Sequence, residues 1–140
     1  MADIQEHGST ALQAVSNAMV KLHKEQFGRG PTSARTNFAG PDGLMCVLRD
    51  ALLPAELKMI EMGSQERVRE SRVAFQAATA PEFIAAVEQI VDRKVIGFAS
   101  GVDPDANVVF ECFYFEPRQS GSDGNGTLAA ERVGELGEDR

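Results

Sequence analysis

Arginines are the residues of this 140-residue chain whose type and spacing favour ligand chemistry most. Arg29 lies between two glycines in Gly28-Arg29-Gly30-Pro31, where backbone N–H groups and a guanidinium could converge on a carboxylate or phosphate. The phosphate-loop pattern, in which GxxxxGK precedes Ser or Thr, is absent. Because glycine commonly ends a helix, a helix stop without a ligand explains the same four residues. Both interpretations stay open.

Two further arginines, Arg69 and Arg72, lie three residues apart and so share one face of a predicted helix. Arg72 also falls close to the apolar stripe of that helix. Since a guanidinium beside a core must be paired or must reach a ligand, Arg72 indicates either a structural ion pair or a contact with an anion or partner. Residues 28–31, Arg69 and Arg72 are our candidate ligand- or partner-binding residues.

The sequence shows no convincing catalytic set. His7 lies in a polar leader and His23 at what we expect to be the exposed end of a helix, so neither is placed as a base. No serine occupies a GxSxG elbow. We therefore expect a protein that is not an enzyme and has no catalytic residues.

An enzyme is nevertheless the alternative hypothesis. It would act on an anionic metabolite, with Arg29 or Arg72 clamping the substrate and Glu56 or Glu111 serving as the acid–base group. A deep pocket around these residues would favour this alternative.

We expect neither a metal nor another cofactor. Cys46 and Cys112 lie in apolar runs and are interpreted as small core residues. The acidic residues 101–107 lack the twelve-residue spacing and the terminal Glu of a calcium loop. A plain hairpin turn explains this segment.

Composition narrows the class of protein. The formal charge of −7 argues against a nucleic-acid binder, which needs a basic face. No apolar run approaches the roughly 20 residues that cross a bilayer, and the N-terminus has no signal-peptide pattern. We expect a cytoplasmic protein without a transmembrane segment.

The hydropathy pattern predicts an α+β fold. Residues 1–8 form a flexible leader, and a helix follows to about Gln26 on a stripe that includes Val15 and Met19. A β-hairpin turns at residues 40–43, helices span about 54–62 and 64–92, and a second hairpin covers about 94–115. Pro81 either kinks the long helix or splits it. The four strands form a mainly antiparallel sheet packed by helices.

The predicted domain therefore spans residues 9–116, and residues 117–140 form a disordered acidic tail that is poor in apolar residues. In the last strand Phe110 points to one face while Phe113 and Phe115 point to the other. Residues 44–48 are also apolar without alternation, which predicts a strand covered on both faces. Aromatic residues on both faces indicate coverage by a second copy, so these three phenylalanines are candidate dimer-interface residues.

The order of these elements resembles the MpsC-like family of small bacterial proteins. The residues that carry the resemblance are 15–25 (VSNAMVKLHKE), 28–31, 52–56 (LLPAE), Gly63, Val68 and Arg72, and the strands at Lys94-Val95 and 108–115. Pro54 departs mildly from the family's Leu-Thr-x-x-Glu. The family is named for a sodium-translocating system that generates membrane potential. The resemblance implies an accessory or regulatory role beside a membrane system that transports ions or inorganic carbon, and it supplies no catalytic residues. We expect the protein to act by binding a partner or a small anion.

Overall fold

A computed structural model describes the backbone of residues 2–118 and the side chains of residues 8–118. In order, the described elements are α1 (Ala2–Phe27), β1 (Ser33–Ala39), β2 (Gly43–Arg49), α2 (Pro54–Glu61), α3 (Gln65–Val91), β3 (Val95–Asp103) and β4 (Val108–Phe115). This order confirms the predicted α+β class. Residues 119–140 of the predicted tail lie outside the described residues.

The four strands form one antiparallel sheet in the order β1-β2-β4-β3. Each predicted hairpin is present, and the two hairpins join through their second strands. Leu44 lies opposite Phe113 and Leu48 opposite Val109 in the central β2–β4 pair. The sheet is thus a scaffold in which residues of β2 and β4 line the middle of both faces.

Helices α1 and α3 both pack on the same face of this sheet. On β2, Leu44, Cys46 and Leu48 are fully buried beneath them, whereas Met45 is 37% exposed. Within the single chain, β2 is therefore covered on one face only, and the predicted cover of its second face would have to come from another copy. The apolar run of β2 lacks alternation because the uncovered face is apolar as well. We call that face, which contains Met45, Val47, Phe110, Cys112 and Tyr114, the open sheet face.

The core lies between the two helices and the covered sheet face. Val15 and Met19 of α1 are completely buried, as the predicted stripe requires, and they belong to one apolar cluster with Phe113 and Phe115 of β4. Burying a side chain of this size removes enough apolar surface to contribute about 1.5–3 kcal/mol. The core therefore fixes α1 across the sheet.

The first helix begins earlier than predicted. The leader assigned to residues 1–8 is helical from Ala2, and α1 continues through Gly8 to Phe27. Ala, Gln and Glu in this segment have high helix propensity. Extending an existing helix also avoids the cost of nucleating one. Together these effects outweigh the roughly 1 kcal/mol that a glycine inside a helix costs.

The long helix α3 is continuous, so of the two alternatives at Pro81 the break is wrong. Buried residues anchor the helix on both sides of the proline: Arg72 precedes it, and Phe83 and Val87 follow it. Pro81 itself is exposed, which leaves the packed face undisturbed. No described helix is both long enough and apolar enough to cross a membrane.

Replacing Pro81 tests this continuity. Pro81→Ala should raise the free energy of unfolding by up to about 3 kcal/mol, because alanine restores the backbone N–H donor and removes the ring clash within a helix. Urea unfolding followed by circular dichroism measures the change. The control Ala85→Gly, exposed on the same helix, should lower stability by about 1 kcal/mol. A loss of stability in Pro81→Ala would contradict a continuous helix.

Candidate functional site

A cavity of about 230 Å³ lies between the last turns of α1, the first half of α3 and strands β3 and β4. Its walls are mainly apolar, with Phe27, Phe83 and Phe98 among the lining residues. Val73 and Phe75 of α3 also line it and are 58% and 44% exposed, so they mark its mouth. The cavity is far larger than the roughly 10–15 Å³ that one water molecule needs.

A buried polar cluster forms one wall of the cavity. Glu111 Oε1 lies 3.3 Å from His23 Nε2 and accepts a hydrogen bond from Ser100 Oγ at 2.8 Å. The His23 and Glu111 side chains are each only 3% exposed. Ser100 lies directly opposite Glu111 in the β3–β4 pair, so the sheet register itself brings these two groups together.

The sequence explains why these groups are inside. Glu111 lies between Val109 and Phe113, and strand alternation turns all three toward the helices. His23 follows Met19 by four residues, which places both on the buried face of α1. The expectation that His23 lies exposed at the helix end is wrong. The signal that would have found it is its i+4 spacing from the apolar stripe.

The Arg72 guanidinium is fixed by hydrogen bonds and by contact with an aromatic ring. Its Nε donates to Glu56 Oε2 at 2.8 Å, and its Nη2 donates to Glu56 Oε1 and to the Ala51 carbonyl. The guanidinium carbon lies 3.8 Å from the centre of the Phe27 ring, within the range of a cation–π contact. Of the two interpretations of Arg72, the structural ion pair is present.

Glu56 completes this arrangement by accepting the Leu53 backbone N–H at 2.8 Å, at the start of α2. One carboxylate thus stabilises a helix N-terminus and neutralises a guanidinium on α3. Because Glu56 is committed to Arg72, it is not free to act as the acid–base group of the alternative hypothesis. Glu111 is the one of the two that lines the cavity.

Four buried polar side-chain atoms lack a hydrogen-bond partner among the described residues. They are Gln26 Nε2, Arg72 Nη1, His23 Nδ1 and Glu111 Oε2. All four belong to residues that line the cavity. An unsatisfied buried polar atom costs about 1–3 kcal/mol. Water or a ligand that enters beside these four side chains would reduce that cost.

The other predicted site residues are spread over the surrounding surface. Gly28 ends α1 in a left-handed conformation, with φ of 77° and its N–H bonded to the Lys24 carbonyl at 2.8 Å. The exposed Arg29 donates to the Leu52 carbonyl at 3.4 Å, and Gly30 and Pro31 follow in the connection to β1. None of residues 28–31 lines the cavity.

Arg69 lies closer to the cavity and is among its lining residues. Its Nη1 is 3.3 Å from Glu66 Oε2 in an exposed pair, a kind of contact that contributes little to stability. Of the six candidate residues, the structure therefore brings only Arg69 and Arg72 to the cavity.

The three candidate interface phenylalanines lie on opposite faces of the sheet. Phe113 and Phe115 are buried beneath the chain's own helices, at 3% and 0% exposure. Phe110 alone lies on the open sheet face. Any contact between copies through this sheet would therefore involve Phe110 and its neighbours on that face.

The two cysteines also lie on opposite faces of the sheet. Cys46 is buried in the core, and burial raises the pKa of its thiol to about 11, with the nearby Glu111 charge adding to the rise and a hydrogen bond with Thr36 opposing it. Cys112 is half-buried on the open sheet face rather than in the core, and partial burial also raises its pKa.

Among the described residues, no group of three or more His, Cys, Asp or Glu side chains is placed to hold a metal ion.

Comparison with known proteins assigns the chain to a family. A family model described as "Na+-translocating membrane potential-generating system (MpsC)" matches residues 9–117. The match includes the residues of the cavity and all four strands. No curated protein and no solved structure matches the chain. Because the match covers most of its length, the chain belongs to the MpsC family, as its sequence pattern predicted.

Proposed function

We propose that this protein is a non-enzymatic accessory or regulatory module of a Na+-translocating system and that it acts by binding a small molecule in the cavity between α1, α3 and the sheet. The family description names such a system, and we place the module on its cytoplasmic side. The observation that carries the proposal is the set of four unpartnered buried polar atoms around one cavity.

The order of the polar groups argues against a serine nucleophile. In a Ser-His-acid triad the histidine lies between the serine and the acid and takes the proton of the serine. Here Glu111 lies between Ser100 and His23, and the Ser100 hydroxyl donates to the carboxylate. The histidine therefore has no contact through which to activate this serine as a nucleophile.

The enzyme hypothesis keeps one supporting observation, a buried Glu111 carboxylate with a free oxygen beside the cavity. In that second candidate, Glu111 is the acid–base group and Arg72 orients the substrate. The two candidates differ in one measurable respect, since an enzyme converts the bound molecule and a binding module releases it unchanged.

The contacts of the three candidate arginines do not favour a small anion as the ligand. Each of the three candidate arginines already has a partner in the chain: Glu56 for Arg72, Glu66 for Arg69 and the Leu52 carbonyl for Arg29. An anion would have to compete with these partners. Arg72 Nη1 and the N–H groups of Arg69 other than Nη1 are the guanidinium donors of the cavity lining without a partner among the described residues.

The second element of the proposal is a homodimer formed through the open sheet face. The charges on the open sheet face support pairing with a second copy. Arg49 of β2 and Asp103 of β3 are the cross-strand neighbours of Val108, and the side chains of all three residues project from the open sheet face. A two-fold arrangement brings Arg49 of each copy toward Asp103 of the other, with the apolar residues between them. Such an isologous contact is complementary to itself.

Retention of a natural ligand tests the binding function. The full-length protein, incubated with a bacterial metabolite extract and analysed by native mass spectrometry, should carry a molecule that denaturation releases unchanged. Val73→Trp should reduce its retention at least tenfold, because the indole closes the mouth of the cavity. The control Leu57→Trp, which places the same side chain on α2 away from the cavity, should retain it. A wild-type protein that carries nothing would contradict the proposal, and a chemically altered molecule would favour the enzyme.

Light scattering tests the dimer. The wild-type chain should elute with about twice its mass of 15.1 kDa. Phe110→Glu should yield a monomer, because it places a charge in the apolar centre of the open sheet face, between Val47 and Gly101. Met62→Glu, at a position that is 73% exposed at the end of α2, is the matched control and should remain dimeric. A wild-type chain that is monomeric at every concentration measured would rule out the dimer.

A further inference from the structure

We propose that the molecule bound in the cavity is a neutral, planar heteroaromatic compound of one or two rings that carries a hydrogen-bond donor beside an acceptor. This inference rests on the proposed binding function and adds the chemical class of the ligand. Three independent features support it: the arrangement of aromatic rings, the inventory of unpartnered atoms and the balance of charge.

Aromatic rings form a continuous series around the cavity. Neighbouring ring centres are 5.0 to 6.0 Å apart, the spacing of favourable aromatic pairs. In order, the rings belong to Phe75, Phe27, His23, Phe83 and Phe98, and all five residues line the cavity. A flat ligand makes edge and face contacts with such rings that a branched aliphatic ligand does not make.

The polar side chains that line the cavity favour a ligand with both kinds of hydrogen-bonding group. Glu111 Oε2 is an acceptor when the carboxylate is ionised, whereas Gln26 Nε2 and Arg72 Nη1 are donors. A ligand with acceptors alone leaves the carboxylate oxygen unsatisfied, and one with donors alone leaves the amide and the guanidinium unsatisfied. A ring N–H next to a carbonyl, as in a lactam, supplies both.

The charges around the cavity favour a neutral ligand. The Arg72 charge is already balanced by Glu56 in a buried pair, and Arg69 at the cavity is paired with Glu66 at the surface. An anion would approach the buried Glu111 carboxylate in a mainly apolar space, where like-charge repulsion is poorly screened. A cation would approach the Arg72 guanidinium under the same conditions. A neutral polar ring avoids both penalties.

The size of the space agrees with one or two rings. An apolar protein cavity of about 150 Å³ holds benzene, and this cavity measures about 230 Å³. The exposed Val73 and Phe75 at its mouth leave a route of entry from solvent.

Three small probes separate the ligand classes by calorimetry on the full-length protein. Hypoxanthine has two rings and places N–H donors beside a carbonyl acceptor, indole has a donor without an acceptor, and benzoate is an anion with acceptors alone. We expect hypoxanthine to bind at least tenfold more tightly than either of the others.

A substitution at Gln26 tests whether the tighter binding of hypoxanthine depends on the Gln26 amide. Gln26→Met removes the amide donor while keeping a side chain of similar length, and it should weaken hypoxanthine binding about tenfold without changing that of indole. Gln13→Met, at an exposed position of the same helix, is the matched control and should bind all three probes as the wild type does.

Each other result overturns the inference and says what replaces it. Equal or tighter binding of indole would show an apolar aromatic site, and tighter binding of benzoate would show an anion site; both leave the proposed binding function standing. If none of the probes binds, the ligand class is wrong, and retention of a natural ligand in native mass spectrometry then decides whether the binding function also fails.

Discussion

One carboxylate on the inward face of a central strand sets the conditions for the rest of the site. Strand alternation leaves Glu111 no other direction, because turning it outward would turn Val109 and Phe113 out of the core as well. An ionised carboxylate in that place requires polar partners. The chain supplies Ser100 from the neighbouring strand and His23 from α1, yet one oxygen of the carboxylate remains unpartnered.

The cavity forms between the helices and the sheet because polar contacts fix the position of each helix. α1 crosses the sheet so that His23 reaches Glu111. The first half of α3 is fixed to α2 by the Arg72–Glu56 ion pair. Aromatic side chains from both helices and from β3 surround the space between these two polar anchors. The result is an enclosure with apolar walls and polar groups at defined positions, which is the usual composition of a small-molecule site.

Much of the fold could be predicted from the sequence, because local signals determine it. The Gly40–Gly43 turn signal and the apolar stripe of α1 fixed the first hairpin and the packing of Val15 and Met19. The buried role of Arg72 was also visible, since a cation beside an apolar stripe must find a partner. These features depend on spacing along a single element.

The cavity could not be predicted, because it depends on contacts between residues that are distant in sequence. His23 and Glu111 are 88 residues apart, and no sequence pattern near either residue predicts its contact with the other. What covers the open sheet face could not be predicted for a related reason, since an apolar residue such as Met45 does not reveal whether a helix, a second copy or solvent lies against it. Which helices share a face is decided by tertiary packing alone.

Stability of a double variant tests most directly whether the His23–Glu111 pair serves a ligand rather than the fold. His23→Phe combined with Glu111→Leu replaces the buried pair by apolar groups. Without ligand, the double variant should unfold in urea at a denaturant concentration equal to or higher than that of the wild type, because replacing a buried ionisable pair is often neutral or stabilising by about 1–4 kcal/mol, and it should no longer retain a small molecule. A double variant that is clearly less stable than the wild type without ligand would show that the pair holds the structure together, and would contradict this account.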